Sequence, residues 1–160
     1  MKTLYLANSF GFAETTRPEL YRIKKILSKK YIVLEPFEQN AKIANRYLAL
    51  IEKETNINVI ERLYREMAYK IGKQNVELME RSDVMLAIFD APPVEEGVAS
   101  EVGYFYAKNK PVYALKTDFR PRGDNPFIEV NLQIEYFVKD SGGKIFKSVA
   151  EMTKYMYKIA

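Results

Sequence analysis

Apolar residues in this chain fall into short unbroken runs separated by longer stretches with helical spacing. The clearest run, VMLAIF at 84–89, has no polar face, as expected of a parallel strand covered on both sides. TLYLA at 3–7, YIVLEP at 31–36 (ended by its proline) and PVYALKTD at 111–118 read as further strands. Between them Leu20, Ile23 and Leu27 share one side of a helix opened by Pro18 at a first-turn position. Ile43, Ala44, Tyr47, Leu48 and Ile51 share a second face, and Ile60, Leu63, Met67 and Ile71 a third. This third helix is expected to run on toward Met79, with a kink near Gly72. Val98, Val102 and Phe105 give the stripe of the next one. FRPRGDNP at 119–126 is rich in turn formers, a short strand is predicted at 134–138, and Val149, Met152 and Met156 mark a last amphipathic helix. The alternation predicts one α/β domain over residues 1–160, a parallel sheet of about five strands with helices on both faces.

Composition narrows the chemistry. The chain has no His and no Cys, so Ser-His and Cys-His nucleophile pairs, thiolate zinc sites and disulfides are excluded within one subunit. Carboxylates, Tyr, Lys, Ser and Thr remain. No run approaches the roughly 20 apolar residues of a membrane span, and the first 30 residues lack a signal-like segment. A soluble, cytoplasmic protein without membrane partners is expected. The +4 net charge is modest, and its main basic cluster, RIKKILSKK at 22–30, has the leucine and isoleucine spacing of a helix with a solvated lysine face. No nucleic-acid partner is expected. GxGxxG is absent after the first strand and no Walker lysine motif occurs, so phosphate-cradling cofactor sites are not indicated.

The informative segment is IFDAPPVEEGVASEVGYFYAKNKPV, 88–112. It sets Asp90, Glu95, Glu96 and Glu101 where a buried strand gives way to a helix, and in open α/β sheets ligands bind outside the carboxyl ends of the strands. Glu101 is expected near the first turn of that helix, where the dipole favours an anion. A carboxylate held in a crevice is a potential nucleophile.

YLANSF near the start, SDVMLAIFDAPPVEEGVASEVGYFYAKNKPVYALKTDFR in the middle and VNLQIEYF beyond it resemble the nucleoside 2-deoxyribosyltransferases, over residues 3–138. The resemblance implies a flavodoxin-like fold, a homo-oligomer with shared active sites and transfer of 2-deoxyribose between nucleobases through a glycosyl-enzyme ester, with no cofactor or metal. It implies that Glu101, in the E-V-G segment with Gly97 before it, is the nucleophile, and that Tyr5 orients it. Glu95 stands where the family usually has an Asp that accepts from the sugar 5′-hydroxyl. Asn131 matches an asparagine that reaches a neighbouring subunit's site. Asn75 matches a base-contacting position that is Asp in some members and Asn in others; an amide cannot be a general acid but donates and accepts hydrogen bonds. Asn8 and Ser9 replace the Gly-Pro pair common in the first loop, and Asp90 joins them as a substrate-binding candidate. Glu38, Gln39 and Asn40 form either a further base contact or a plain turn.

Three functions fit: deoxyribosyl transfer, hydrolysis of a nucleoside or nucleoside 5′-monophosphate, and non-catalytic nucleotide sensing. Related hydrolases carry a small hydroxyl residue where Glu95 stands. A carboxylate there would repel a phosphate dianion by on the order of several kcal/mol at an effective dielectric near 20, which favours unphosphorylated deoxynucleosides and free nucleobases as substrates.

Overall fold

The computed structural model describes residues 1–90 and 93–160. Its sheet is formed by β1 (Thr3–Ala7), β2 (Ile32–Leu34), β3 (Val84–Ile88), β4 (Val112–Leu115) and β5 (Ile145–Phe146). Every pairing is parallel and the order is β2-β1-β3-β4-β5. This is the flavodoxin-like order, with its topological switch between β1 and β3. The helices are α1 (Arg17–Leu27), α2 (Pro36–Ile51), α3 (Ile57–Glu80), α4 (Glu96–Ala107), α5 (Leu132–Asp140) and α6 (Val149–Ile159), with a 3-10 turn at Phe10–Phe12.

The chain divides into two compact units, residues 1–34 with 82–160, and residues 35–81. The first holds the sheet. Because side chains alternate along a strand, Leu4 and Leu6 join Leu20, Ile23 and Leu27 of α1 and Met152 and Met156 of α6 in one buried cluster. Tyr5, which lies between Leu4 and Leu6, points to the opposite face, that of α4. There α4 buries Val98, Val102 and Phe105, the stripe that its sequence predicts. In the second unit α2 and α3 pack along each other. Gln74 Nε2 donates to the Gln39 carbonyl at 2.8 Å across that contact.

Several predicted elements change extent or type. The second strand shrinks to Ile32–Leu34, and Pro36 opens α2, where its missing N–H is harmless; Glu35 caps that helix by accepting from the N–H groups of Phe37 and Glu38. The fourth strand stops at Leu115 because the N–H groups of Thr117 and Asp118 turn to Asp90. Gly72 does not interrupt α3. The predicted strand at 134–138 is instead the middle of α5. Periodicity cannot distinguish strand from helix over five residues, and here the Asn131 cap and the burial of Glu135 and Val138, three apart, accompany the helix. The fifth strand is the two-residue Ile145–Phe146, too brief to show a pattern.

Candidate active site

Tyr5 is fully buried on β1, and its hydroxyl donates to Glu101 Oε1 at 2.6 Å across 96 residues of sequence. The two meet because β1 and β3 are neighbours at the switch point and α4 crosses above them. A buried phenol needs a hydrogen-bond partner, and a half-buried carboxylate needs a donor. Each meets the other's need and fixes its rotamer. Glu101 is the sixth residue of α4, one turn deeper than its expected first-turn place. The dipole effect fades within the first turn. What Glu101 gains locally is the Tyr5 donor.

Two acids stand at the start of α4, Glu95 and Glu96, and the first of them is held by the helix. Glu95 is the N-cap, and its Oε2 accepts from the Val98 N–H at 2.9 Å. A Cβ at Gly97 would lie 3.0 Å from that same oxygen, so glycine leaves the carboxylate its place. Among the described residues no other donor reaches Glu95, which keeps Oε1 available to a hydroxyl. Residues 91 and 92 of the acidic turn lie outside the described residues.

Asp90, at the end of β3, is engaged differently. Its Oδ1 accepts from the N–H groups of Thr117 (2.5 Å) and Asp118 (2.8 Å), and its Oδ2 from the Thr117 hydroxyl (2.7 Å). This clamps the loop after β4. The same loop is held from within by Lys116, buried at 4% exposure, whose ammonium donates to the carbonyls of Asp118 and Arg120 (2.9 Å for the latter). The Arg120 guanidinium beside Asp118 holds that carboxyl well below its ordinary range. Sequence reasoning missed Lys116 and Thr117, because neither spacing nor composition marks a lysine inside an apolar run. The only signal was a charged residue on a stretch that reads as a strand.

Asn8 is buried and shapes the first loop: its Nδ2 donates to the Leu6 carbonyl at 3.0 Å and its Oδ1 accepts from the Gly11 N–H at 3.2 Å. Ser9 precedes the 3-10 turn, and its carbonyl accepts from the Phe12 N–H. Asn131 is exposed and caps α5, its Oδ1 accepting from the Gln133 N–H at 3.0 Å. Asn75 belongs to the helical unit, where its Oδ1 accepts from Asn40 Nδ2 at 2.6 Å. No group of three or more acidic residues able to hold a metal occurs among the described residues. No helix among them is long and apolar enough to cross a membrane.

Solved structures that share the fold include the following three. A conserved protein from Enterococcus faecalis V583 aligns with TM-score 0.68 at 24% identity, covering 100% of this chain and 99% of its own. The 2-deoxyribosyltransferase of Bacillus psychrosaccharolyticus gives 0.67 at 20% identity, covering 96% and 91%. The CMP N-glycosidase of Clostridium botulinum gives 0.50 at 16% identity, covering 97% and 98%. Among curated proteins no sequence match is found. The sequence profile described as nucleoside 2-deoxyribosyltransferase matches residues 4–143, a span that includes Tyr5, Glu95, Glu101 and Asn131, and on that match the chain belongs to the nucleoside 2-deoxyribosyltransferase family.

Proposed function

We propose that this protein is a nucleoside 2-deoxyribosyltransferase in which Glu101 is the nucleophile. The observation that carries the reading is the 2.6 Å hydrogen bond from the buried Tyr5 hydroxyl to Glu101 at the switch point of the sheet. The Glu101 carboxylate attacks the anomeric carbon, the N-glycosidic bond breaks and its electron pair leaves with the base. The departing base takes up a proton from solvent; a second base then attacks the same anomeric carbon and gives up its ring N–H proton to solvent, the bond from that carbon to the Glu101 oxygen breaks, and the carboxylate is regenerated. Two inversions give retention, as in retaining glycosidases. Tyr5 keeps the carboxylate aligned, and Glu95 accepts from the sugar 5′-hydroxyl. The test is incubation with 2′-deoxyinosine and isotopically labelled hypoxanthine. Label entering the nucleoside supports transfer; loss of nucleoside without labelled product identifies a hydrolase and overturns the reading.

Glu95 separates nucleosides from nucleotides in this reading. Serine is as good an N-cap as any residue, so Glu95→Ser keeps the start of α4 while removing the charge. We expect that variant to lose about tenfold in kcat/KM on deoxynucleosides, the scale of one charge-assisted hydrogen bond, and to gain on 5′-monophosphates. Equal use of both by the unmodified protein, measured by base release, would refute the repulsion argument.

The working unit is proposed to be an oligomer in which Asn131 serves the site of another copy. Because Asn131 also caps α5, replacement by alanine would confuse loss of the cap with loss of function. Asn131→Ser retains a capping oxygen and shortens the reach. Mixing inactive Glu101→Gln chains with impaired Asn131→Ser chains, under subunit exchange, is expected to restore part of the activity. Absence of recovery despite proven exchange would show that each chain builds its site alone.

A further inference from the structure

Lys116 and Lys147 follow the paired residues Leu115 and Phe146 at the carboxyl ends of β4 and β5, where ligands of open parallel sheets bind. The Lys116 N–H donates to the Phe146 carbonyl at 2.9 Å, which carries the pairing one step past the strands. Within the sheet unit both lysines line a cavity of about 280 Å³, closed by residues 117–121 and 126–129. Neither Tyr5, Glu95 nor Glu101 lines it. Its cations are unevenly matched. Arg120 pairs with Asp118, and Lys147 with Glu129. Lys116 is 96% buried, and two of its three ammonium donors go to the carbonyls of Asp118 and Arg120. The third has no acceptor among the described residues, and no carboxylate of theirs lies within ion-pair distance of this ammonium. A buried charge of that kind calls for an anion. Burial, and after it the charge of Lys116, hold the Lys147 ammonium below the ordinary lysine range against an opposing pull from Glu151. The two ammoniums therefore face one space. The rings of Phe119 and Phe127 line the same cavity while 96% and 94% exposed, so they present two bare apolar surfaces beside the cations.

We propose that this cavity is a second binding site, apart from the catalytic pair, for a phosphate monoester that carries an aromatic ring. Two ammoniums that repel each other across one space are both satisfied by a dianion, whereas a carboxylate brings a single charge. A phosphate monoester carries about −1.5 to −2 at pH 7 and three acceptor oxygens, enough for the spare Lys116 donor, for Lys147 and for the remaining Arg120 N–H groups. The ring attached to the ester covers Phe119 and Phe127, which gives those exposed side chains a partner of their own kind. The site stands independently of the transferase reading.

The experiment is calorimetric titration of the unmodified protein with phenyl phosphate, with inorganic phosphate and benzoate as parallel probes. Phenyl phosphate is expected to saturate with a Kd of about 1 mM or tighter, and to bind at least about tenfold more tightly than either of the others. Inorganic phosphate binding as well as phenyl phosphate would remove the ring from the proposal, benzoate binding as well would remove the dianion, and absence of binding would leave Lys116 a tie of its loop and nothing more; each result overturns it. Lys116 itself is left in place, because it holds that loop. Lys147→Gln alters a half-exposed side chain and is expected to raise the Kd by about tenfold, and Phe127→Ala, which truncates a ring in solvent, by at least about threefold. Unchanged affinity in either variant refutes the assignment; should Lys147→Gln not fold, Phe127→Ala decides. A saturating amount of 2′-deoxyinosine is expected to leave the phenyl phosphate titration unaltered. Competition between the two would put the phosphate in the nucleoside site and overturn the proposal of a second one.

Discussion

Glu101→Gln is expected to lower deoxyribosyl transfer by at least about a thousandfold while the protein still folds and still binds nucleoside. The amide retains an oxygen in the position of Oε1, so the Tyr5 hydroxyl at 2.6 Å keeps an acceptor and the buried phenol is not orphaned. What disappears is the anion that attacks carbon. Comparison of melting curves checks the fold, and steady-state base exchange checks the rate. In the unmodified enzyme a denaturing quench during turnover is expected to trap one deoxyribosyl unit on the peptide containing Glu101. Substantial turnover by the Gln variant, or a trapped sugar on another peptide, would assign the nucleophile elsewhere.

Tyr5→Phe separates positioning from attack. The phenyl ring fills the same buried place, but the carboxylate loses the 2.6 Å bond from the Tyr5 hydroxyl that aligns it. Hydrogen bonds to charged groups contribute about 1.5–3 kcal/mol, so a reduction in kcat of roughly tenfold to a hundredfold is expected, well short of that in Glu101→Gln. If Tyr5→Phe were as inactive as Glu101→Gln, the phenol would have a chemical role beyond orientation.

How far the sequence discloses this site depends on the kind of signal each residue leaves. Buried parallel strands announce themselves as apolar runs, and β1 and β3 were legible almost to the residue. The α4 stripe was equally plain, and with strand and helix in place the meeting of Tyr5 and Glu101 follows from side-chain alternation. Two things were hidden. A stretch of five such as 134–138, apolar but for Glu135, is too short for its periodicity to separate helix from strand, so α5 was misread and β5 passed unnoticed. Hydrogen-bond commitments are also invisible in a string of letters. Asp90 reads as a site acid, yet three donors from Thr117 and Asp118 make it the clamp of a loop. Lys116 reads as a strand residue, yet it is the loop's buried internal tie. Asn131 and Glu95 each carry a capping duty beside the role that the family resemblance implies.

Three glycines with different surroundings give the largest expected spread in stability, and the worst of them acts on the strand that carries the clamped loop. Gly72 lies within α3 with nothing near a prospective Cβ, so Gly72→Ala relieves helix entropy and should stabilise by about 0.5–1 kcal/mol. Gly142 also has open space but sits at φ 83°, where a Cβ is strained, so Gly142→Ala should cost about 1–2 kcal/mol. Gly143 is the severe case. Its N–H donates to the Val138 carbonyl at 3.1 Å, and a Cβ on it would overlap the carbonyl oxygen of Val112, backbone against backbone. Neither partner can yield as a flexible side-chain tip would. Val112 begins β4 and pairs with Met85 of β3, so displacement there strains the sheet beneath Asp90 and Thr117. Gly143→Ala is therefore expected to cost more than about 3 kcal/mol, a fall of roughly 10 °C or more in Tm for a domain of this size, or to fail to fold. Thermal denaturation of the three variants should order them Gly72→Ala above the unmodified protein, then Gly142→Ala, then Gly143→Ala. A Gly143→Ala protein melting within a degree or two of the original would mean that the chain between α5 and β5 does not run against β4 as described.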